Sequence, residues 1–178
     1  RFVAATRVGE LPEVRVSGLL EDKLGRRWIG TSLEGLYLDD GDSLTQFGDG
    51  SGLIGVTVNC LLIDREGTLW IGTHDAGLSR YEFGRVQTHR AGVDLPEARV
   101  TRMLEDRSGA LWFATAGDGL VRWDDDGKQV FTTADGLAHD AVWALLEDGD
   151  GTLWVGTEEG ISRFAEERFI PLATPDAI

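Results

Sequence analysis

A single cysteine, Cys60, excludes an internal disulfide. It lies in the apolar run Val58-Asn59-Cys60-Leu61-Leu62-Ile63 and reads as a small buried hydrophobe, not a nucleophile. Proline is scarce, with 4 residues against 24 glycines. That balance, without low complexity, points to many tight turns rather than long helices. No apolar run is long enough to cross a bilayer, and the residues carry no signal-peptide pattern. Basic residues are outnumbered 17 to 31, which leaves a formal net charge of -14. Such a surface repels phosphate backbones and argues against nucleic acid as a partner. Phosphate loops, nucleophile elbows and zinc patterns are missing, and nothing calls for a cofactor. With 42% hydrophobic and 27% charged residues the composition is that of a folded chain. Its 178 residues suffice for one domain with a real core.

What the chain does have is a period. Trp28, Trp70, Trp112 and Trp154 stand 42 residues apart, followed by Ile-Gly-Thr, Ile-Gly-Thr, Phe-Ala-Thr and Val-Gly-Thr. Six residues before each Trp is an aspartate: Asp22, Asp64, Asp106, Asp148. Three before it is a glycine: Gly25, Gly67, Gly109, Gly151. Asp and Gly at that spacing between two apolar runs form a hairpin signal, because the carboxylate takes turn N–H groups and Gly takes a positive φ. The runs starting at Val16, Val58, Val100 and Val142 become strand A, and the Trp-bearing runs strand B. Gly35, Gly77, Gly119 and Gly160 mark a second turn, with strand C and a weaker strand D after it. Each Trp is expected to fill a seam between units, opposite the Gly or Ala two residues on. A leucine at Leu11, Leu53, Leu95 and Leu137 marks the entry to each unit.

Four antiparallel strands in ~42 residues describe the blade of an all-β propeller. The blades are expected at about 12–48, 54–90, 96–133 and 138–172, within a single domain or segment spanning 1–178. Residues 1–6 fall in the register of strand D of a preceding blade. Five D strands against four of each other kind suggest an arc of a larger ring, completed by further blades or by a second copy. A closed four-blade ring is the alternative.

The segment Leu-Leu-Glu-Asp-Gly-Asp-Gly-Thr-Leu-Trp-Val-Gly-Thr, Leu145 to Thr157, resembles the two-component regulator propeller repeat. Leu61 to Thr73 and Leu104 to Thr115 resemble it nearly as well, and the first copy departs with Arg26-Arg27. The resemblance implies an extracytoplasmic, periplasmic sensing module of a bacterial membrane-anchored regulator. A small molecule or oligosaccharide is the implied ligand. The membrane, kinase and output parts would lie outside these residues. The expected function is non-enzymatic ligand sensing. A protein-interaction scaffold is the alternative, and a propeller lyase with a His/Glu metal site the second alternative.

Specificity in a repeat array must lie where the copies differ. The B–C loops differ: Ser32-Leu33-Glu34, His74-Asp75-Ala76, Ala116-Gly117-Asp118 and Glu158-Glu159. So do the entry loops, which include Pro12-Glu13, Ile54-Gly55, Pro96-Glu97 and His139-Asp140. His74, Asp75, Asp118, Glu158, Glu159, His139 and Asp140 are therefore candidate ligand contacts, against the plainer reading of relaxed surface loops. Inside strand A one column reads Ser17, Asn59, Thr101, Trp143 and the next Gly18, Cys60, Arg102, Ala144. Arg102 is read either as a channel-lining partner for an acidic group or ligand anion, or as a structural ion pair. Trp143 is read as inter-blade packing first and as a sugar-stacking ring second. The histidines share no ligand spacing, so no metal site is expected. Asp124 to Gly127 and Asp148 to Gly151 lack the bidentate Glu of a calcium loop and read as turns.

Overall fold

Each Asp–Gly hairpin pairs its flanking apolar runs, and each repeat folds into its own antiparallel sheet in the computed structural model. The structure describes residues 6–47, 52–53, 55–89 and 99–172. The first sheet contains β1 (Thr6–Val8), β2 (Val16–Glu21), β3 (Arg27–Thr31), β4 (Leu36–Asp39) and β5 (Leu44–Phe47). The second contains β6 (Val58–Ile63), β7 (Leu69–Thr73), β8 (Leu78–Glu82) and β9 (Arg85–His89). The third contains β10 (Val100–Glu105), β11 (Leu111–Thr115), β12 (Leu120–Asp124) and β13 (Gly127–Phe131). The fourth contains β14 (Val142–Glu147), β15 (Leu153–Thr157), β16 (Gly160–Ala165) and β17 (Arg168–Pro171). Strands within the last three sheets pair in chain order, as blades of a β-propeller do. The two aspartate-rich stretches are turns: Asp126 N–H bonds the Asp124 carboxylate at 3.0 Å, and Asp150 N–H that of Asp148 at 2.9 Å.

The N-terminal expectation needs correction. Residues 1–5 lie outside the described residues. Thr6 does not belong to a preceding blade; it opens β1, which pairs antiparallel with β5 as a fifth strand of the first sheet. An edge strand leaves a row of backbone donors and acceptors open, and β1 satisfies that row on β5.

One carboxylate holds each A–B turn. Gly25, Gly67, Gly109 and Gly151 take φ of 75°, 93°, 96° and 88°, and each bonds the aspartate carbonyl three residues earlier. Oδ1 of Asp64 accepts Thr68 N–H at 2.8 Å, and the other three aspartates accept turn N–H groups in the same way. The second oxygen accepts the indole Nε1–H of the Trp: 3.2 Å for Asp22–Trp28, 2.8 Å for Asp64–Trp70, and 2.7 Å for Asp106–Trp112 and Asp148–Trp154. Burial alone would raise the carboxyls of Asp22 and Asp106. The N–H, hydroxyl and indole donors around them outweigh it and hold both below the ordinary aspartate value. Asp148 is lowered first by the Trp154 indole and then by the Thr152 N–H. At the other end of strand B, the hydroxyls of Thr31, Thr73, Thr115 and Thr157 donate to the carbonyls of Gly35, Gly77, Gly119 and Gly160 at 2.8–2.9 Å.

The chain divides into two compact units, Arg1–Val100 and Thr101–Ile178. In the first, Trp28, Leu36, Phe47, Val58, Leu69 and Ile71 form a buried cluster. The Trp28 ring lies 4.9 Å from Tyr81 and 5.8 Å from Phe47 between centroids. In the second, Trp112, Leu120, Phe131, Val142, Val155 and Phe169 do the same. Trp28 and Trp112 thus pack at a seam as expected, Trp70 is buried and Trp154 half-buried, but the small residue after the Trp makes room for something else. A Cβ on Gly30 would stand 2.6 Å from Cγ1 of Val58. The hollow is filled by the first valine of the next strand A, which removes roughly 1.5–3 kcal/mol worth of apolar surface from water. Leu53 and Leu137 are buried, Leu11 is exposed, and Leu95 lies outside the described residues.

Candidate functional site

The loops that differ between copies are mounted on a backbone frame that does not. Ser32 N–H bonds the Arg15 carbonyl, His74 N–H that of Thr57, and Glu158 N–H that of Ala141, each at 2.9 Å. In all three blades the B–C loop is thereby clipped to the loop entering strand A. A second clip joins the B–C loop to the following entry loop: Gly35 N–H to Val56 O, and Gly119 N–H to Asp140 O, both 2.8 Å. Ser32, His74 and Glu158 occupy one geometric position with three side-chain chemistries. Rigid backbone with exchangeable side chains is what a recognition surface requires.

The strand-A column is explained by a β-bulge. Register shifts between Val16 and Gly18, Val58 and Cys60, and Val142 and Ala144 set Ser17, Asn59 and Trp143 out of the ladder. A bulge re-aims its side chain. Ser17 Oγ donates to the Val58 carbonyl. Asn59 Nδ2 donates to the Val100 carbonyl at 3.0 Å, and Thr101 Oγ1 to the Val142 carbonyl at 2.6 Å. These three straps, on consecutive copies, escaped the sequence reading. The signal available was the short polar residue directly after each first valine.

Trp143 breaks the strap pattern. Its Nε1–H goes to Glu158 Oε2 at 2.7 Å, and its ring remains exposed. Ala141 ties this pair to the entry loop: its carbonyl takes Glu158 N–H, and its own N–H bonds Nδ1 of the half-buried His139 at 3.0 Å. With Nδ1 accepting, a neutral His139 carries its proton on Nε2. Asp140 accepts the Thr133 N–H at 2.6 Å at the start of the 3-10 turn Thr133–Asp135, whose N-cap is Thr132. The structure therefore brings His139, Asp140, Trp143 and Glu158 together at one end of the fourth blade, with Glu159 exposed beside them.

Other candidates lie apart from that group. Asp118 is half-buried and gives its N–H to Thr115 Oγ1 at 3.0 Å. Arg102 is exposed and donates to the Thr101 carbonyl at 2.6 Å; no carboxylate pairs with it among the described residues. His74 and Asp75 are exposed in the first unit. No three His, Cys, Asp or Glu side chains gather in a way that could hold a metal ion among the described residues. At the opposite, A–B turn end of the first unit there is a cleft of about 250 Å³ lined by Trp28, Glu66, Tyr81 and Phe83 among others. Arg26 in its wall is held to Asp22 at 2.7 Å and lies over the Trp28 ring.

Residues 52–75, 94–117 and 136–159 match the model of a family described as two component regulator propeller. No curated protein matches the chain. Among solved structures, the extracellular domain of a hybrid two component system from B. thetaiotaomicron superposes with a TM-score of 0.79 at 24% identity. That match covers 93% of this chain and 23% of the other. The extracellular domain of a one component system from the same organism gives 0.74 at 19% identity, covering 97% of this chain and 27% of the other. Virginiamycin B lyase from Staphylococcus aureus gives 0.71 at 16%, covering 98% and 59%. The chain thus spans about a quarter of the length of the two extracellular domains. At these identities the likeness is one of fold.

Proposed function

From the match of residues 52–75, 94–117 and 136–159 to the two component regulator propeller model, we propose that the chain is a non-enzymatic ligand-sensing module of a bacterial regulator, working on the periplasmic side of the membrane. The observation that carries this reading is the exposed Trp143 ring with its N–H locked onto Glu158. A flat aromatic face beside a carboxylate is the pair a sugar ring takes. The apolar face of the sugar stacks on the indole, and a hydroxyl donates to carboxylate lone pairs the indole leaves open. An oligosaccharide is therefore the proposed ligand. His139 and Glu159 would flank it, and His74 and Asp75 are the corresponding loop groups of the second blade. Rigid loops bind with little ordering cost, so the signal would pass through packing at the edges of the array rather than through the loops themselves.

A carbohydrate panel read by thermal shift, followed by calorimetric titration of any hit, tests this. Trp143→Ala and Glu158→Ala are expected to abolish the response of the wild-type chain. A response that survives both substitutions would remove the site. No carbohydrate response, together with capture of a defined protein partner, would replace the sensor by an interaction scaffold. The lyase reading is tested separately by assaying lytic activity in His74→Ala and His139→Ala, and activity unchanged by both substitutions would eliminate it.

A further inference from the structure

Two positions sealed in other copies stand open here, and they are the halves of one contact. Val58 and Val142 are 0% exposed, whereas Val16, at the same position of β2, is 46% exposed. Leu19 on that strand is 65% exposed, while its counterparts Leu61 and Leu145 pack against the buried clusters. At the far end of the repeat series, Leu36, Leu78 and Leu120 are 0% exposed, whereas Ile161 in the same role is 48% exposed. Leu146, whose counterparts Leu20 and Leu104 pack on the clusters, is exposed as well.

The hollow that receives the valine is built by the small residue after each Trp. A Cβ on Gly30 would meet Val58 Cγ1 at 2.6 Å, and one on Gly72 would meet Val100 Cγ1 at 2.9 Å. Ala114 shares a buried cluster with Val142. At Gly156 the three nearest atoms all belong to Ala144, its cross-strand neighbour in the same sheet, the nearest at 3.1 Å. Ile161 is the partner of Gly156 on the other side. Among the described residues one glycine hollow is therefore unfilled and one strand-A valine is exposed.

We propose that a second copy of this chain seats its Val16 in the Gly156 hollow, with Leu19 against Ile161 and Leu146. Wherever the hollow is filled in this chain, valine fills it, and Val16 is the spare. The contact joins two different faces, so it is head-to-tail. It uses none of the residues of the ligand reading and stands or falls apart from it.

Sedimentation velocity and light scattering over a dilution series test it. The wild-type chain is expected at the mass of a dimer or larger. Val16→Glu and Ile161→Glu place a charge on faces exposed in the single chain, so both are expected to stay folded by circular dichroism and to run as monomers. Mixed, they are expected to recombine into a heterodimer, because the first keeps the hollow and the second keeps the valine. Gly156→Leu, which fills the hollow without adding charge, is expected to behave as Ile161→Glu does. A wild-type chain that is monomeric throughout, single variants that associate like wild type, or a mixture that stays monomeric would each overturn the proposal.

Discussion

The two ends of every blade solve opposite problems. At the A–B turn end all four copies use one arrangement, an aspartate that holds the turn N–H groups with one oxygen and the Trp indole with the other. At the B–C end the backbone clips recur but the side chains change, from Ser32 to His74 to Glu158. The first end spends its polar groups on itself; the second leaves them facing outward. A repeat array can keep its fold while its surface changes only if these duties are separated along the strand.

That contrast is most strongly tested by acid. The carboxyls of Asp22, Asp106 and Asp148 are depressed in the folded chain, so their contribution is complete at neutral pH. It is expected to fall away as pH drops from the ordinary aspartate value of about 3.9 through the lower folded-state values. Urea midpoints measured down the pH scale should collapse in that window. Stability that stays flat there would mean the turn end does not depend on charged aspartates.

Asp64→Ala comes next. It removes the acceptor of the Trp70 indole N–H and of the buried Thr68 N–H, each costing about 1–3 kcal/mol, so a loss of about 2–6 kcal/mol is expected in chemical denaturation. Thr73→Val tests the far end of the same strand. It removes a 2.9 Å bond to the Gly77 carbonyl, which still accepts Thr73 N–H, and about 1–2 kcal/mol is expected. The smallest effect is expected from Glu158→Ala. Among the described residues its exposed side chain accepts a hydrogen bond from Trp143, and a change of no more than about 0.5 kcal/mol is expected while ligand response is lost. A Glu158 variant as destabilised as Asp64→Ala would erase the distinction between the ends.

How far the site could be read beforehand follows the same division. The Asp–Trp spacing of six residues is visible in the chain, but only the hairpin shows that one carboxylate reaches both the turn and the ring. His139, Asp140, Trp143 and Glu158 were each legible as departures from the repeat. Their meeting was not, because it runs through Ala141, a residue with no distinguishing chemistry. Arg102 looked like a channel residue through its charge in an apolar strand, yet its guanidinium turns back to its own neighbour's carbonyl. The straps at Ser17 and Asn59 depend on a bulge, which a period-two pattern does not announce.

By itself the sequence determined the unit: four strands in 42 residues, where the turns fall, and which end of the blade varies. Those features are local, set by turn chemistry and alternation over a few residues. Tertiary structure decided what fills each glycine hollow, which strand β1 joins, and which valine and which hollow remain unmatched. Those depend on surfaces brought together from distant parts of the chain, where packing density selects the occupant and spacing along the chain carries no information about it.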